Sequence, residues 1–356
     1  MDGIWILGGA GRTGRAIAAE LVARGAPAPV LVGRDPGRLR EVAGKVGGTP
    51  LVAGSVEAIC AELIRRRPAV VVNTIGPFTE TALPVARACP PGTHYLDLSN
   101  ELPAVTALLG LHDEAVATDR CIVPAAGFGV LGTESVVLAL CADRPAPRRV
   151  RVDAVPVLGG EPGPVGVALA ATIVGALAAG GRHYADGRLT RTRPGGAAER
   201  LTLPDGSTVS TAGGPTADLE AAHRASGAPF VVAASTYTAS GPLVRAVLPA
   251  VGALMAVPPL RRAAVRALSR VRVTPKPPAR ESTWAHARVE WADGTVREGW
   301  MRAGEAMAFT AGVAAEVALR LSRGEGRPGA STPGAMFGPE LVDAAGGTLL
   351  LDVGAT

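Results

Sequence analysis

Hydrophobic positions along this chain come first as short apolar blocks separated by amphipathic stretches. The blocks predict strands at 3–7, 29–33, 50–53, 69–74, 93–97 and 121–125, and the stretches between them predict helices at 12–24, 36–44, 56–66, 79–88 and 101–118. Strand and helix alternate with short connections, the pattern of a doubly wound parallel sheet. After Gly127-Phe128-Gly129 the texture changes. A helix is predicted from Thr133, read as its N-cap, to Leu140, then strand-like pieces at 149–157, 200–203, 207–211, 230–239, 284–291 and 295–301. Helices are expected near 165–179, 215–225 and 242–269. Strands arriving in runs, with Asp205-Gly206 and Asp293-Gly294 as hairpin turns, indicate a second α+β domain of mostly antiparallel strands faced by helices. A helix over Glu305–Arg323, a Gly/Pro-rich segment and a last strand near 348–353 are expected to return to the first domain. The expected division is a first domain of residues 1–128 joined by 305–356, and a second of 129–304. No internal repeat is visible.

The chemistry is concentrated at the first strand–helix junction. Ile4–Leu7 runs into Gly8-Gly9-Ala10-Gly11-Arg12-Thr13-Gly14 and then into the helix Arg15–Arg24. This order opens a dinucleotide-binding fold: Gly8 or Gly9 makes the tight turn, Gly11 lets backbone approach a pyrophosphate, and Gly14 lets the helix pack closely. Phosphates then sit at the helix N-terminus, where free N–H groups and the helix dipole favour negative charge.

The second strand bears on which nucleotide. An acidic residue usually ends it and holds the ribose 2′-hydroxyl of NAD. Here Gly33 and Arg34 take that place, Asp35 comes one step late, and Arg38 follows four residues after Arg34. A guanidinium at this point stacks on adenine and pairs with a 2′-phosphate, so NADP is preferred over NAD, and FAD, whose ribose is normally held by the same missing acid, is less favoured still. The plainer alternative makes Arg34 and Arg38 solvated helix-start residues and Asp35 an N-cap.

Two further strand ends bring polar groups to the same edge. Asn73-Thr74-Ile75-Gly76-Pro77-Phe78 leaves the fourth strand, where ligands of such sheets bind, so Asn73 to Phe78, with Asn73, Ile75, Gly76 and Pro77 foremost, are expected to line the cofactor, Pro77 and Phe78 as an apolar wall beside the nicotinamide. The fifth ends in Thr93-His94-Tyr95-Leu96-Asp97-Leu98-Ser99-Asn100-Glu101, with Tyr95, Asp97 and Ser99 on one face by alternation. Asp97 reads as a helix cap slightly before it reads as a catalytic group.

Composition removes whole classes of function. The net charge of +5 is spread along the chain without a block of like charge, and aromatic residues are 3%, which argues against nucleic acid as the main partner. Lys45 and Lys276 are the only lysines, and Lys276 lies in Thr274-Pro275-Lys276-Pro277-Pro278, read as an exposed linker, so Schiff-base chemistry has little support. Cys60, Cys89, Cys121 and Cys141 are far apart and without a C-x-x-C pair, which fits a reducing cytoplasm rather than zinc or a disulfide framework. No charged leader precedes the first strand. The apolar run Val165–Ala179, about 15 residues, falls short of the ~20 that span a bilayer. Leu243–Leu268, broken by Pro249, Pro258 and Pro259, is read as packing on a sheet in preference to lying on a membrane surface; membrane association is not expected.

The segments GGAGRTGR, VGRDPGRL, NTIGPF, THYLDLSNE and PAAGFGVLGTE together resemble the saccharopine dehydrogenase-like (saccharopine reductase) superfamily, and within it the bacterial trans-acting enoyl reductase-like branch. Thr310-Ala311, Thr332-Pro333 and Phe337-Gly338-Pro339 extend the resemblance, which covers the first ~130 and last ~50 residues and leaves the middle poorly matched. It implies an N-terminal NADP-binding Rossmann domain, a second α+β domain closing over the nicotinamide, and a homodimer. It places Gly8, Gly11, Arg12, Thr13, Gly14, Arg34, Asn73, Gly76 and Pro77 on the cofactor, and Phe128 near the nicotinamide. The chain departs from that branch at Phe128–Glu134, where relatives carry an aspartate-containing loop, and at Pro162-Gly163-Pro164-Val165, where they carry a polar helix entry. Its middle region, rich in Ala, Val, Gly and Leu, suits an apolar substrate better than an amino acid held by arginines.

Several mechanisms can be set aside. A Tyr with Lys four residues on is absent: Tyr95, Tyr184 and Tyr237 are followed there by Ser99, Arg188 and Gly241. No metal-ligand spacing appears among His94, His112, His183, His223 and His286, so no metal is expected; His183 and His286 read as surface or hairpin residues. A Gly-x-Ser-x-Gly elbow is missing too. What remains is hydride transfer needing orientation, a dry pocket and one proton donor, for which Tyr95 and Tyr237 are the candidates, each also readable as a structural tyrosine. The expected function is an NADP-dependent oxidoreductase reducing an activated C=C or C=N bond. The alternative keeps the nucleotide without net redox, as a cyclase, an isomerase or an NADP sensor.

Overall fold

The computed structural model describes residues 3–159, 163–238, 242–273 and 280–351. The Thr274–Pro278 linker, Pro162, and positions 239 and 352–353 of the expected strands lie outside the described residues.

The chain divides into two units. The first comprises Met1–Ser99, Pro103–Phe128 and Met307–Gly346. Its elements begin β1 (Ile4–Leu7), α1 (Arg12–Ala23), β2 (Val30–Gly33), α2 (Pro36–Val46), β3 (Thr49–Val52), α3 (Val56–Arg66), β4 (Val70–Asn73), α4 (Phe78–Ala88), β5 (His94–Asp97), α5 (Leu102–Leu109), α6 (His112–Ala117) and β6 (Cys121–Val123). β1 and β4 are buried along their whole length, as continuous apolar runs in the middle of a parallel sheet must be. Local signals end the helices as expected. Asp35 caps α2 by accepting from the Gly37 and Arg38 N–H groups at 3.0 Å, with Pro36 next and the left-handed Gly47 closing the far end. The single helix expected over 101–118 is two, divided at Gly110.

The second unit comprises Asn100–Leu102, Gly129–Ala306 and Gly347–Thr356. It continues α7 (Phe128–Cys141), β7 (Arg149–Val155), β8 (Gly163–Pro164), α8 (Val167–Ala179), β9 (Gly181–Ala185), β10 (Arg188–Thr192), β11 (Glu199–Thr202), β12 (Thr208–Gly213), α9 (Ala217–Ser226), β13 (Phe230–Ser235), α10 (Pro242–Ala256), α11 (Pro258–Arg270), β14 (Arg272–Val273), β15 (Thr283–Glu290) and β16 (Val296–Ala303). The chain then runs through α12 (Ala306–Ser322), β17 (Gly329–Ala330), α13 (Pro333–Phe337) and α14 (Leu341–Ala344) to β18 (Thr348–Leu351).

The first sheet has the order β17-β6-β5-β4-β1-β2-β3, every pair parallel. The order reverses between β1 and β4, the switch point of a doubly wound sheet. Arg24, at the end of α1, ties the returning segment to this unit through Glu316 of α12 at 2.8 Å and the Ala344 carbonyl at 2.9 Å. The last strand does not return with it. β18 pairs antiparallel with β16 in the second sheet, adding Leu349, Leu350 and Leu351 beside Met301, Trp300 and Gly299.

The second sheet runs β10-β9-β13-β7-β15-β16-β18, with β12 on β13 and β11 on β12. It is mixed: β13 and β7 are parallel, the other pairs antiparallel. α7 lies on one face, where Gly299 approaches Val136 and Leu140 so closely that an added Cβ would sit 3.0 Å from Val136. α9 lies on the same face, its Glu220 bound by the Tyr184 hydroxyl. The opposite face holds Val155, Trp284 and Trp300 under Leu203 and Val209 of the β11–β12 hairpin. Three local expectations are corrected. α7 starts at Phe128, so Thr133 is not an N-cap; its hydroxyl donates to the Gly129 carbonyl one turn back at 3.0 Å. The single helix at 242–269 breaks at Val257, extended before Pro258, and among the described residues α10 and α11 pack chiefly on α8 and on each other, rather than lying flat on the sheet as one helix. His286 is buried in mid-strand β15, not at the surface.

Candidate nucleotide-binding site

The site grows from the switch point of the first sheet. β1 ends at Leu7, and Gly8 turns the chain with φ of +77°, a conformation only glycine takes without strain. The Gly8 and Gly9 N–H groups both donate to the Val32 carbonyl, at 2.8 and 3.1 Å, which pins the turn against the end of β2. β4 closes the other side, with the Thr74 hydroxyl donating to the Leu7 carbonyl at 2.7 Å. A Cβ on Gly8 would lie 2.6 Å from that hydroxyl, and one on Gly14 would lie 2.5 Å from the Gly8 carbonyl oxygen. The glycines thus mark where α1, the turn and β4 meet without room for a methyl group.

Gly11 caps α1 in extended conformation with no side-chain hydrogen bond. The first intrahelical bond runs from Arg15 N–H to the Gly11 carbonyl at 3.0 Å, so the N–H groups of Arg12, Thr13 and Gly14 precede it and open at the helix end. An uncapped N-terminus with its dipole, approached without Cβ atoms, fits a pyrophosphate. α4 begins beside it in the same way: Pro77 caps it with no side-chain bond, after a cis Gly76–Pro77 peptide. Asn73 Oδ1 accepts from the Ile75 N–H at 3.0 Å and shapes that loop.

At the end of β2, Arg34 is exposed and has no ion-pair partner among the described residues. Asp35, which an NAD-type site would turn towards a ribose, is engaged in capping α2. Arg38 is exposed in the first turn of that helix. A free guanidinium with the neighbouring carboxylate occupied elsewhere suits a 2′-phosphate.

Tyr95 and Asp97 do meet on one face of β5, but inside the unit. Tyr95 is fully buried; its hydroxyl accepts from Asn73 Nδ2 at 3.1 Å and donates to Asp97 Oδ2 at 2.9 Å. Asp97 also accepts from the Ser99 N–H and hydroxyl at 3.1 and 2.7 Å, and from the Ala125 N–H at 2.9 Å. Burial raises the Asp97 carboxyl above its ordinary range even though the Ser99, Ala125 and Tyr95 donors lower it. Burial, with Asp97 beside it, holds the Tyr95 phenol well above its usual value. This hub fastens β4, β5 and the loop after β6, and Asp97 is not a helix cap. Tyr95 thus has the buried, hydrogen-bonded setting of the structural reading rather than that of an accessible proton donor. Tyr237 lies in the turn after β13, in the second unit, 62% exposed. Phe128 is 6% exposed and packs edge-on against Phe309, ring centroids 6.5 Å apart, while its N–H donates to the Thr310 hydroxyl at 3.1 Å. Thr74 and Thr310 lie in segments that the sequence singled out, but the bonds they make, to the Leu7 carbonyl and from the Phe128 N–H, carry no sequence pattern.

Residues 4–123 match the family model described as the saccharopine dehydrogenase NADP binding domain. Over that segment the chain is similar to that domain. The NADP-binding domain is also 36% identical over 133 residues to a trans-acting enoyl reductase of Mycobacterium ulcerans, an alignment covering 35% of this chain and 32% of that protein. A trans-acting enoyl reductase of Mycobacterium tuberculosis is 33% identical over 145 residues, covering 38% and 35%. The chain thus spans about a third of the length of the curated relatives it matches. Beyond the NADP-binding domain, the apo saccharopine dehydrogenase (L-Glu forming) of Saccharomyces cerevisiae superposes with a TM-score of 0.61 at 14% identity, over 98% of this chain and 100% of that one. That similarity shows a shared fold.

A second buried polar cluster sits in the other unit. Asp153 of β7 accepts from Arg151 at 2.8 Å, from the Thr211 hydroxyl at 2.6 Å, and faces His286 Nδ1 at 3.1 Å. His286 in turn lies against Trp300, ring centroids 4.3 Å apart. Among the described residues no group of three His, Cys, Asp or Glu side chains is placed to hold a metal ion.

Proposed function

We propose that this protein is an NADPH-dependent reductase of an activated C=C or C=N bond in a largely apolar small molecule. The observation that carries this reading is the uncapped N-terminus of α1 at the β1–β4 switch point with the unpaired Arg34 beside it, in a segment similar to an NADP-binding domain. The relatives matched over that segment are named for enoyl reduction, which favours the C=C bond. When bound, NADPH supplies the hydride. The chain's part is to hold the pyrophosphate on the Arg12–Gly14 N–H groups, the 2′-phosphate on Arg34, and the loop Asn73–Pro77 rigid beside the nucleotide. The hydride goes to the electron-poor carbon, and a proton completes the neighbouring atom. With Tyr95 closed inside its hydrogen bonds, the exposed Tyr237 or a water is the proton source in this reading.

The same closure motivates a second reading, in which the nucleotide is kept without net redox. Incubation with a panel of enones and imines and with NADPH deuterated at C4 separates the two. Reduction gives NADPH loss equal to product formed and deuterium in the product; product without either supports the second reading.

A further inference from the structure

α11 buries none of its side chains, and with α8 and α10 it forms a helical layer of the second unit. The layer exposes large apolar residues in order. Val247, Ala250 and Leu254 fall three or four residues apart, one stripe along α10, with Val247 57% and Leu254 53% exposed; Val257, 43% exposed, follows in the break between the helices. Leu260, 44% exposed, lies on α11, and α8, packed against both helices, carries exposed Val167 and Ile173. A contiguous apolar patch on a surface marks an interaction site, whereas scattered residues do not.

The charge carried by these three helices has one sign, although a carboxylate from outside them, Glu101, accepts from the Thr172 hydroxyl of α8 at 2.7 Å. Arg261, Arg262, Arg266 and Arg270 are exposed on α11 and Arg272 follows them. Residues 163–185 and 242–273 contain no aspartate or glutamate. Next to α10, Arg182 of β9 and Arg191 of β10 stand directly opposite each other across the hairpin, without a carboxylate partner among the described residues. Both line a cavity of about 290 Å³, whose other wall includes Leu177, Pro249 and Ala253. Two like charges side by side at an apolar wall are uncompensated until an anion arrives. The Arg182 guanidinium responds accordingly, its pKa lowered by burial and by Arg191.

We propose that α8, α10 and α11 form a docking face for an anionic bilayer surface. Val247, Leu254, Val257 and Leu260 enter the headgroup–acyl boundary, the α11 arginines meet lipid phosphates, and the Arg182–Arg191 cavity seats one headgroup. A second copy of this chain is the poorer occupant. An isologous contact would set these arginines against their own copies with no acid to pair them. This replaces the expectation that the segment packs on a sheet, and it stands independently of the reductase reading.

The test is co-sedimentation of the full chain with vesicles of phosphatidylglycerol and phosphatidylcholine, against vesicles of phosphatidylcholine alone, with mass by light scattering. The protein is expected to pellet with the anionic vesicles and not the neutral ones. Leu254→Glu with Leu260→Glu, and separately Arg262→Glu with Arg266→Glu, are expected to lower that partition about tenfold or more. Unchanged NADPH affinity and melting temperature show that the variants fold. Three outcomes overturn the proposal: no preference for anionic vesicles, wild-type partition in both variants, or a dimer that Leu254→Glu splits without any vesicle binding.

Discussion

The Tyr95 hydroxyl donates to Asp97 Oδ2 at 2.9 Å, two residues along the same face of β5, and takes a hydrogen bond from Asn73 Nδ2 of the neighbouring strand. A proton donor in catalysis must reach substrate, and this phenol is fully buried with both its bonds inside the unit. Tyr95→Phe keeps the ring and removes the link. It leaves the Asn73 amide without its acceptor and Asp97 short of one donor, a buried loss of about 1–3 kcal/mol. We expect a lower melting temperature in thermal denaturation and a kcat within a few-fold of wild type; loss of turnover at unchanged stability would return Tyr95 to a catalytic role.

Gly14 sits where α1 crosses the turn. A methyl group there would lie 2.5 Å from the Gly8 carbonyl oxygen and 2.9 Å from the Gly9 Cα, both backbone atoms that move only if the turn moves. Gly14→Ala is expected to cost about 1–3 kcal/mol of stability through overpacking. It should also weaken NADPH binding, read by fluorescence titration, because the displaced helix end no longer aims its N–H groups at the pyrophosphate. Gly44→Ala, where nothing lies within 4 Å of the added atom, is the control and should bind normally.

The first unit was legible because its signals are local and mutually consistent. Val70–Val72 can only be a buried strand, Gly8–Gly14 names its own turn, and Asp35-Pro36 announces a helix start that the structure confirms. The second unit hides its signals. β10 reads Arg-Leu-Thr-Arg-Thr, exposed along most of its length, so no alternation marks it; only Asp186-Gly187, both with positive φ, betrays its hairpin. Val257 ends α10 because the residue before Pro258 avoids the helical region, a boundary the apolar pattern runs straight through. At the site, spacing brought Asn73, Tyr95 and Asp97 to one edge but left open whether the hydroxyl faces solvent, which is decided by partners from three strand ends. His286 shows the same limit: its strand was predicted, and its burial comes from Asp153 and Trp300 on the strands either side.

In the proposed reading, Arg34 is the residue on which the choice of nucleotide turns. It is exposed, and Asp35 beside it is engaged with the Gly37 and Arg38 N–H groups. Arg34→Ala is expected to raise the Kd for NADPH about tenfold or more, the scale of a charge-assisted bond to phosphate, while NADH binding changes little. Titration of the wild type and the variant with both nucleotides checks this. An NADPH preference that survives the substitution would move the 2′-phosphate contact elsewhere, with Arg38 the next position to change.

Asp153 governs how the second unit meets acid. Burial pushes its carboxyl up, but the hydrogen bond with His286 and the Arg151 guanidinium outweigh it and hold the pKa below the ordinary value. A carboxyl depressed in the folded state contributes stability above its unfolded pKa, near 4, and loses it as pH falls through the folded value. Wild-type stability is therefore expected to drop below about pH 4 in part through this group. Asp97 and Asp218 act in the opposite sense, since burial raises both; what they contribute is present in acid and lost as pH rises through their folded pKa. Asp153→Ala removes the buried partner of Arg151 and leaves it the half-exposed Glu199 with the Ala197 carbonyl and Thr211 hydroxyl, so the loss near neutral pH is expected below the ~3–5 kcal/mol of a fully unpaired buried charge. Melting temperatures from pH 3 to 8, a range of ~5 units spanning the carboxylate window, should show a lower plateau for the variant and a shallower fall on its acid side. Parallel curves for the two proteins would mean that Asp153 is not the group protonated.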